Sequence, residues 1–196
     1  MNQTAHPDTC VRCPWIRGKS AEYIAYHDNE WGRPLHDERK LYELFTIELF
    51  QAGLSWELLL AKRENFRIAY DGFDPIKVAG YGPADVERLM ADKGIVRNRG
   101  KIEASISNTN VILGIAQEYG GFEAYLWGFV DGEPVIVPPE ITENRLSRTV
   151  SKDLKHRGIK YAGPVTIHSF LQAAGIINAH APECWVYQEL VDQAAL

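Results

Sequence analysis

Tyr23-Ile-Ala-Tyr-His-Asp-Asn-Glu-Trp31 packs three aromatics, one histidine and two carboxylates into nine residues, beside the turn-forming run Gly32-Arg33-Pro34. A helix that only fills a core does not mix such groups so densely, because its buried face is apolar. The stretch reads as a functional site. Its candidate partners lie far away in sequence: Cys13 before it, Glu48 and Trp56 after it, His180 and Cys184 near the C-terminus.

The surrounding chain is patterned for helices. Asp37 is a fair N-cap for a helix running to about Gln51, with Leu41, Leu44, Phe45 and Leu49 at helical spacing and Glu48 close to that apolar side. Ala52-Gly53 breaks the run, and Ser55 caps a second helix with Trp56, Leu59, Leu60, Phe66 and Tyr70 on its buried face. Gly72 to Pro75 is a turn, and Pro83 opens a short helix that Gly94 ends. Further helices are expected over 98–119, 122–129, from Asn144 or Ser147 to His156, 164–174 and 183–192. Residues 130–143 are irregular, with at most a short extended piece at Val135-Ile136-Val137. The expected class is all-α. The expected organisation is a tail over 1–12, one domain of two helical lobes over 13–188 with a pocket between them, and a tail over 189–196.

With 196 residues, 45% hydrophobic and 24% charged, the chain has the composition of a globular domain able to bury a core. No run approaches the roughly 18 apolar residues of a membrane span. Met1 to Thr9 lack the apolar core of a secretion signal. The expectation is a cytoplasmic protein without a membrane partner. A net charge of −5 argues against nucleic acid when taken alone. The basic residues are clustered, however: Arg97, Arg99 and Lys101 form one group, and Arg145, Arg148, Lys152, Lys155, His156, Arg157 and Lys160 another. A basic face on an acidic protein is compatible with DNA; the alternative for such runs is a solvated charged surface.

Three cysteines, Cys10, Cys13 and Cys184, argue against a disulfide framework and leave metal binding open. His180 and Cys184 stand four apart, so on a helix they would share one face. Cys13 and His27 could complete a Cys2His2 set, which suits zinc in a closed, structural site. The competing reading is a buried cysteine and a satisfied core histidine. Cys10 forms a C-x-x-C pair with Cys13 but falls in the expected tail. The H-x-E and P-C-x-x-C patterns of a nucleobase deaminase are not present, which counts against a hydrolytic metal centre.

Four stretches together, Tyr23–Trp31, Glu48-Leu-Phe-Gln-Ala-Gly-Leu-Ser-Trp56, Lys62-Arg-Glu-Asn65 and Gly94-Ile-Val-Arg-Asn-Arg-Gly-Lys101, closely resemble the bacterial 3-methyladenine DNA glycosylase I family. Cys13-Pro-Trp15 and the segment Gly163 to Cys184 resemble it too, so the likeness spans about 13 to 185. The resemblance implies a helix-hairpin-helix DNA glycosylase fold with one structural zinc on Cys13, His27, His180 and Cys184. It implies a monomer that acts on double-stranded DNA, excises N3-methyladenine without lyase activity and releases it as the free base. Glu48 would accept hydrogen bonds from a flipped base, with Tyr26, Trp31 and Trp56 as stacking faces. The alternative for Glu48 is a helix salt bridge to Arg39 or Lys40. Gly158 to Gly163, with Lys160 and Tyr161 in its turn, matches the hairpin. Arg97, Arg99 and Lys101 are further phosphate candidates, and Gly53 and Leu54 are candidates to fill the gap left by the base. Ile177-Asn178-Ala179-His180 has no carboxylate where many superfamily relatives place an aspartate, which fits a narrow enzyme for labile cationic bases.

Overall fold

A computed structural model describes residues 10–51 and 53–194. Among these residues the chain forms ten α-helices and two very short strands: α1 Ala21–Asn29, α2 Glu38–Gln51, α3 Trp56–Ala69, α4 Pro75–Ala79, α5 Pro83–Ala91, α6 Arg99–Tyr119, α7 Phe122–Trp127, β1 Val135–Ile136, α8 Arg145–His156, α9 Pro164–Ala173, β2 Ile177–Asn178 and α10 Trp185–Ala194. The all-α expectation holds. Side-chain caps explain several starts. Ser20, Ser55, Asp74, Asn98 and Asn144 each accept from a first-turn N–H of the helix that follows. Pro75, Pro83 and Pro164 occupy first turns, where their missing N–H costs nothing.

At the centre lies α2. Its residues 41–50 are all buried, not only the apolar stripe that the sequence pattern shows. The helices α6, α7 and α9 and the α3 side pack around it, with Phe45 edge-on to Phe122 and Phe170 at 5.4 and 5.1 Å between ring centres. Buried hydroxyls on this helix pair internally, as with Tyr42 and Thr109 Oγ1 at 2.7 Å. The two strands run parallel, with Val135 opposite Ile177 and Ile136 opposite Asn178. The extended piece at 135–136 thus has a partner that period alone did not show.

Several boundaries differ from expectation. The segment 23–31 is mostly helix α1, whose mixed composition hides its period. Helix α4 sits where only a turn was read. Val11 and Arg12, assigned to a tail, are anchored: Val11 accepts from Trp185 N–H at 2.9 Å, and Arg12 forks onto Asp28 at 2.8–3.0 Å. Residues 189–194, also assigned to a tail, continue α10, and Glu189 pairs with Arg33 at 2.7 Å. Residues 1–9, Ala52 and 195–196 lie outside the described part.

The loop 33–35 crosses directly over Gly175. Leu35 N–H bonds Ala174 at 3.1 Å, Gly175 has φ +70°, and a Cβ there would collide with the backbone of Arg33 and Pro34. Both strain and contact forbid a side chain. Gly175→Ala is expected to cost at least about 2 kcal/mol of unfolding free energy, measured by urea denaturation.

Candidate active site and metal centre

Helix α1 presents neighbouring residues to two different sites. Tyr26 turns into a hollow of about 170 Å³ that Glu48 and Trp56 also line. His27 turns the other way, into a buried cluster with Cys13, His180 and Cys184.

Trp15, Tyr23, Trp31, Gln51, Ser169 and Gln172 complete the hollow's lining. Its aromatic walls are mutually braced. Tyr26 and Trp56 lie 5.5 Å apart between ring centres, Tyr23 stacks on Tyr26 at 6.3 Å, and Trp15 meets Trp31 edge-on at 5.0 Å. Three of the lining residues carry polar groups without partners. Tyr26 Oη and Trp56 Nε1 are buried and make no hydrogen bond. Glu48 is 4% exposed, and the described residues offer it neither hydrogen bond nor ion pair. The expected alternative of a pair with Arg39 or Lys40 is not realised; Arg39 lies near Asp74 instead, at 3.7 Å.

The contrast with Glu43 on the same helix is instructive. Glu43 is equally buried but accepts from Arg63 and Arg67, which neutralise it. Glu48 has no such counter-charge, and burial pushes its carboxyl up to about 8. Burial, then the proximity of Glu48, also pushes the Tyr26 phenol up. A buried acid with no internal partner is costly to fold around, so it marks a place for a ligand that completes it.

In the second cluster the four ligand atoms lie within 4.8 Å of one another, and all four residues are buried. Cys13 Sγ is 3.4 Å from His180 Nδ1, and Cys184 Sγ is 3.6 Å from His27 Nε2 and 3.7 Å from His180 Nδ1. The Cys184 thiol is pulled far down, first by the thiol of Cys13 and also by both imidazoles. A thiolate and two ring nitrogens aimed at one point could hold a metal ion. The His180-to-Cys184 spacing works differently from the helical reading: both precede α10, in a turn closed by Cys184 N–H on the Ala181 carbonyl at 2.8 Å.

Residues missed by sequence reasoning support the ligands. Asp28 bonds His27 Nδ1 at 2.8 Å and is itself gripped by Arg12, so His27 Nε2 is left to face the cluster. His180 Nε2 bonds the Trp31 carbonyl at 3.1 Å. A Cβ at Gly32, whose φ is +73°, would come within 2.5 Å of that nitrogen. Asp28 was legible as the residue after a ligand histidine. Ser169 and Gln172 were legible as polar residues three apart, and so on one face of a mixed helix.

The remaining candidates divide. Gly53, with φ +83°, and Leu54 lie in the loop between Gln51 and Trp56, both of which line the hollow. Lys160 is exposed, but its N–H already bonds Asn108 Oδ1 at 2.8 Å, and Gly163 N–H bonds the Tyr161 carbonyl at 3.0 Å. Tyr161, 49% exposed with φ +62°, lies over Gly100, so the α8–α9 turn adjoins the start of α6. Arg97 is exposed there; Arg99 is held by Glu87 at 2.8 Å, and Lys101 turns inward to the Phe50 carbonyl at 2.8 Å. In the second basic group Arg157 is fixed between Glu118 and Asp153 and over Tyr119.

Residues 15–187 match the family model described as methyladenine glycosylase. The chain is 45% identical over 181 residues to DNA-3-methyladenine glycosylase 1 of Escherichia coli (strain K12), a match covering 90% of this chain and 96% of that protein. It is 38% identical to the DNA-3-methyladenine glycosylase of Haemophilus influenzae, covering 89% and 96%. A crystal structure of 3-methyladenine DNA glycosylase I superposes with a TM-score of 0.85 at 44% identity, covering 89% of this chain and 98% of that one. The enzyme from Staphylococcus aureus, solved to explain its 3-methyladenine recognition, superposes at 0.82 with 41% identity over 85% and 92%. By sequence, by fold and across nearly its whole length, the chain belongs to the methyladenine glycosylase family.

Proposed function

We propose that this protein excises N3-methyladenine from alkylated double-stranded DNA by hydrolysing its N-glycosidic bond, the opening step of base excision repair. One observation carries the reading: an aromatic-walled hollow holds a buried carboxylate with no counter-ion, in a chain of this family. A glycosylase must take its base out of the stack and read it in a pocket. Tyr26, Trp31 and Trp56 offer faces for the flipped base, each worth about 1–3 kcal/mol.

Charge supplies the selectivity. Methylation at N3 leaves the adenine positively charged, with its glycosidic bond already weakened. Burial alone holds the Glu48 proton up to about pH 8. A cationic base beside it favours the carboxylate, so the Glu48 proton passes to solvent and the carboxylate accepts the base's N–H groups. An unmodified adenine brings no charge to offset the desolvation of that carboxylate and is rejected. When the C1′–N9 bond breaks, its electron pair passes to the base, which leaves neutral. Water adds at C1′ and its proton passes to solvent. The products are free 3-methyladenine and an abasic site. A cationic leaving group needs no acid, and among the described residues no lysine lines the pocket to act as a lyase nucleophile.

For DNA, the α8–α9 turn acts as the hairpin, with the Tyr161 N–H and the start of α9 after Gly163 facing a phosphate, and Lys160 and Arg97 adding charge. Arg99 reaches DNA only by giving up Glu87. Gly53 and Leu54 enter the gap left by the base, as apolar wedges do elsewhere. The metal is a structural zinc. A tetrahedron with zinc–sulfur and zinc–nitrogen bonds of about 2.3 and 2.05 Å has S···N edges of about 3.6 Å, close to the 3.4–3.7 Å between these thiols and imidazoles. Bound there it would draw residue 13 and the 180–184 turn onto α1. The protein acts as a monomer in the cytoplasm.

Release of free base from methylated DNA tests the activity. Glu48→Gln is expected to slow it roughly 10- to 150-fold, the worth of one charge-assisted hydrogen bond. Lesion binding without release by the parent protein would leave a recognition module in place of an enzyme.

The same substitution tests the charge argument through stability. The folded protein holds the Glu48 proton to about pH 8, whereas the unfolded chain loses it near 4.5. Stability from this group is therefore full below 4.5 and lost as pH rises towards 8. Relative to the parent, Glu48→Gln should be about equal at pH 4 and more stable by roughly 3–5 kcal/mol at pH 9 in urea unfolding.

Elemental analysis should find one zinc per chain, and His180→Ala should lose folded protein. A zinc-free parent that remains stably folded would remove the structural role.

A further inference from the structure

Helix α2 ends at the pocket: Glu48 and Gln51 are in its last turn, and the Gly53–Leu54 loop follows. The last carbonyls of any helix have no intrahelical partner, and basic side chains commonly satisfy them. The last turn of α2 carries no basic residue. The cation comes instead from α6, where Lys101 Nζ donates to the Phe50 carbonyl at 2.8 Å. Lys101 is placed by its own helix start, since Asn98 Oδ1 accepts its N–H at 3.1 Å. Beyond Phe50 the loop closes on itself. Leu54 N–H bonds the Gln51 carbonyl at 2.6 Å, and the Gln51 amide bonds the Leu54 carbonyl at 3.0 Å. Lys101 thus holds the carbonyl of the residue next to Gln51, whose own bonds to Leu54 shape the loop that follows.

We infer that Lys101 is a positioning residue that clamps the C-terminal turn of α2, and with it Glu48, Gln51 and Leu54, and that it is not a phosphate contact. The inference rests on the proposed glycosylase reaction for its effect on turnover, but not for its structural part. In the sequence Lys101 shares a basic run with Arg97 and Arg99, and all three look alike. In the fold its ammonium is half-buried against the negative end of a helix, where the dipole favours a cation. Burial lowers its proton affinity, consistent with a group withdrawn from solvent.

Two independent measurements on Lys101→Met decide the matter. Affinity for DNA with an abasic-site analogue is measured against salt, with Arg97→Met beside it. A phosphate contact contributes about 0.9 to the slope of log affinity against log salt. The expected result for Lys101→Met is an unchanged slope, faster amide exchange over 50–55 in the free protein, and a kcat for base release at least tenfold lower. Lys101→Arg, which can reach the same carbonyl, should recover most of both losses. A slope reduced by about 0.9, with exchange over 50–55 and kcat unchanged, would overturn the assignment. Should Lys101→Met not fold, the same slope and exchange measurements on Lys101→Gln, a shorter uncharged donor, carry the test. A parent that releases no base would sink the glycosylase reading and leave the slope and exchange results to judge Lys101.

Discussion

A carboxylate sealed inside a helical core without a counter-charge is the constraint around which this structure is arranged. Helix α2 buries two acids. Glu43 is paid for locally by Arg63 and Arg67. Glu48 is not, and the cost of holding it falls on the rest of the fold. The helix carrying it is buried along residues 41–50, and Tyr26 and Trp56, which line the same hollow, also bring buried polar atoms without partners. A site complete in itself would have nothing to offer a cation.

The Cys13, His27, His180, Cys184 cluster answers a different need. One side of the pocket comes from the core helices α2, α3 and α9, and the other from the entry to α1, α1 itself and the turn after it. Each of the latter segments is tied to the cluster through a neighbour. Tyr26 precedes His27, Trp15 follows Cys13 by two residues and packs edge-on to His27 at 5.2 Å, and Trp31 gives its carbonyl to His180. The sequence places wall residues and ligands side by side because one rigid body must hold both. Asp28 and Arg12 extend that body outward by fixing the orientation of His27.

Much of this was legible before any coordinates. Periodicity and caps placed α2, α3, α6 and α8 within a residue or two, because those helices each bury an identifiable face or start on a strong cap. Helix α1 was not legible as a helix, since its residues serve two sites and leave no apolar stripe. The strand pairing of 135–136 with 177–178 is a long-range contact between two-residue segments, too short to carry a period. The Cys13, His27, His180, Cys184 set and Glu48 were within reach chiefly through the family resemblance, which singled them out among residues whose spacing alone left other readings open. The inward turn of Lys101 was not, because a lysine in a basic run looks the same whether its ammonium faces a phosphate or a carbonyl.

The same logic bears on the segment Ile177-Asn178-Ala179-His180. Here Asn178 is buried and its Oδ1 accepts the N–H of His180 at 3.2 Å, while Ala179 is buried without a polar group. The segment also pairs with β1. Its backbone serves the strand pair and the Asn178 side-chain oxygen seats the His180 N–H, so the segment reads as structural. An enzyme that had to force a neutral base to leave would need an acid or a general base near this point. Under the proposed reaction the base already carries its own positive charge, so the segment can be given over to structure, and the charge that matters would stand at Glu48, the buried acid without a counter-ion.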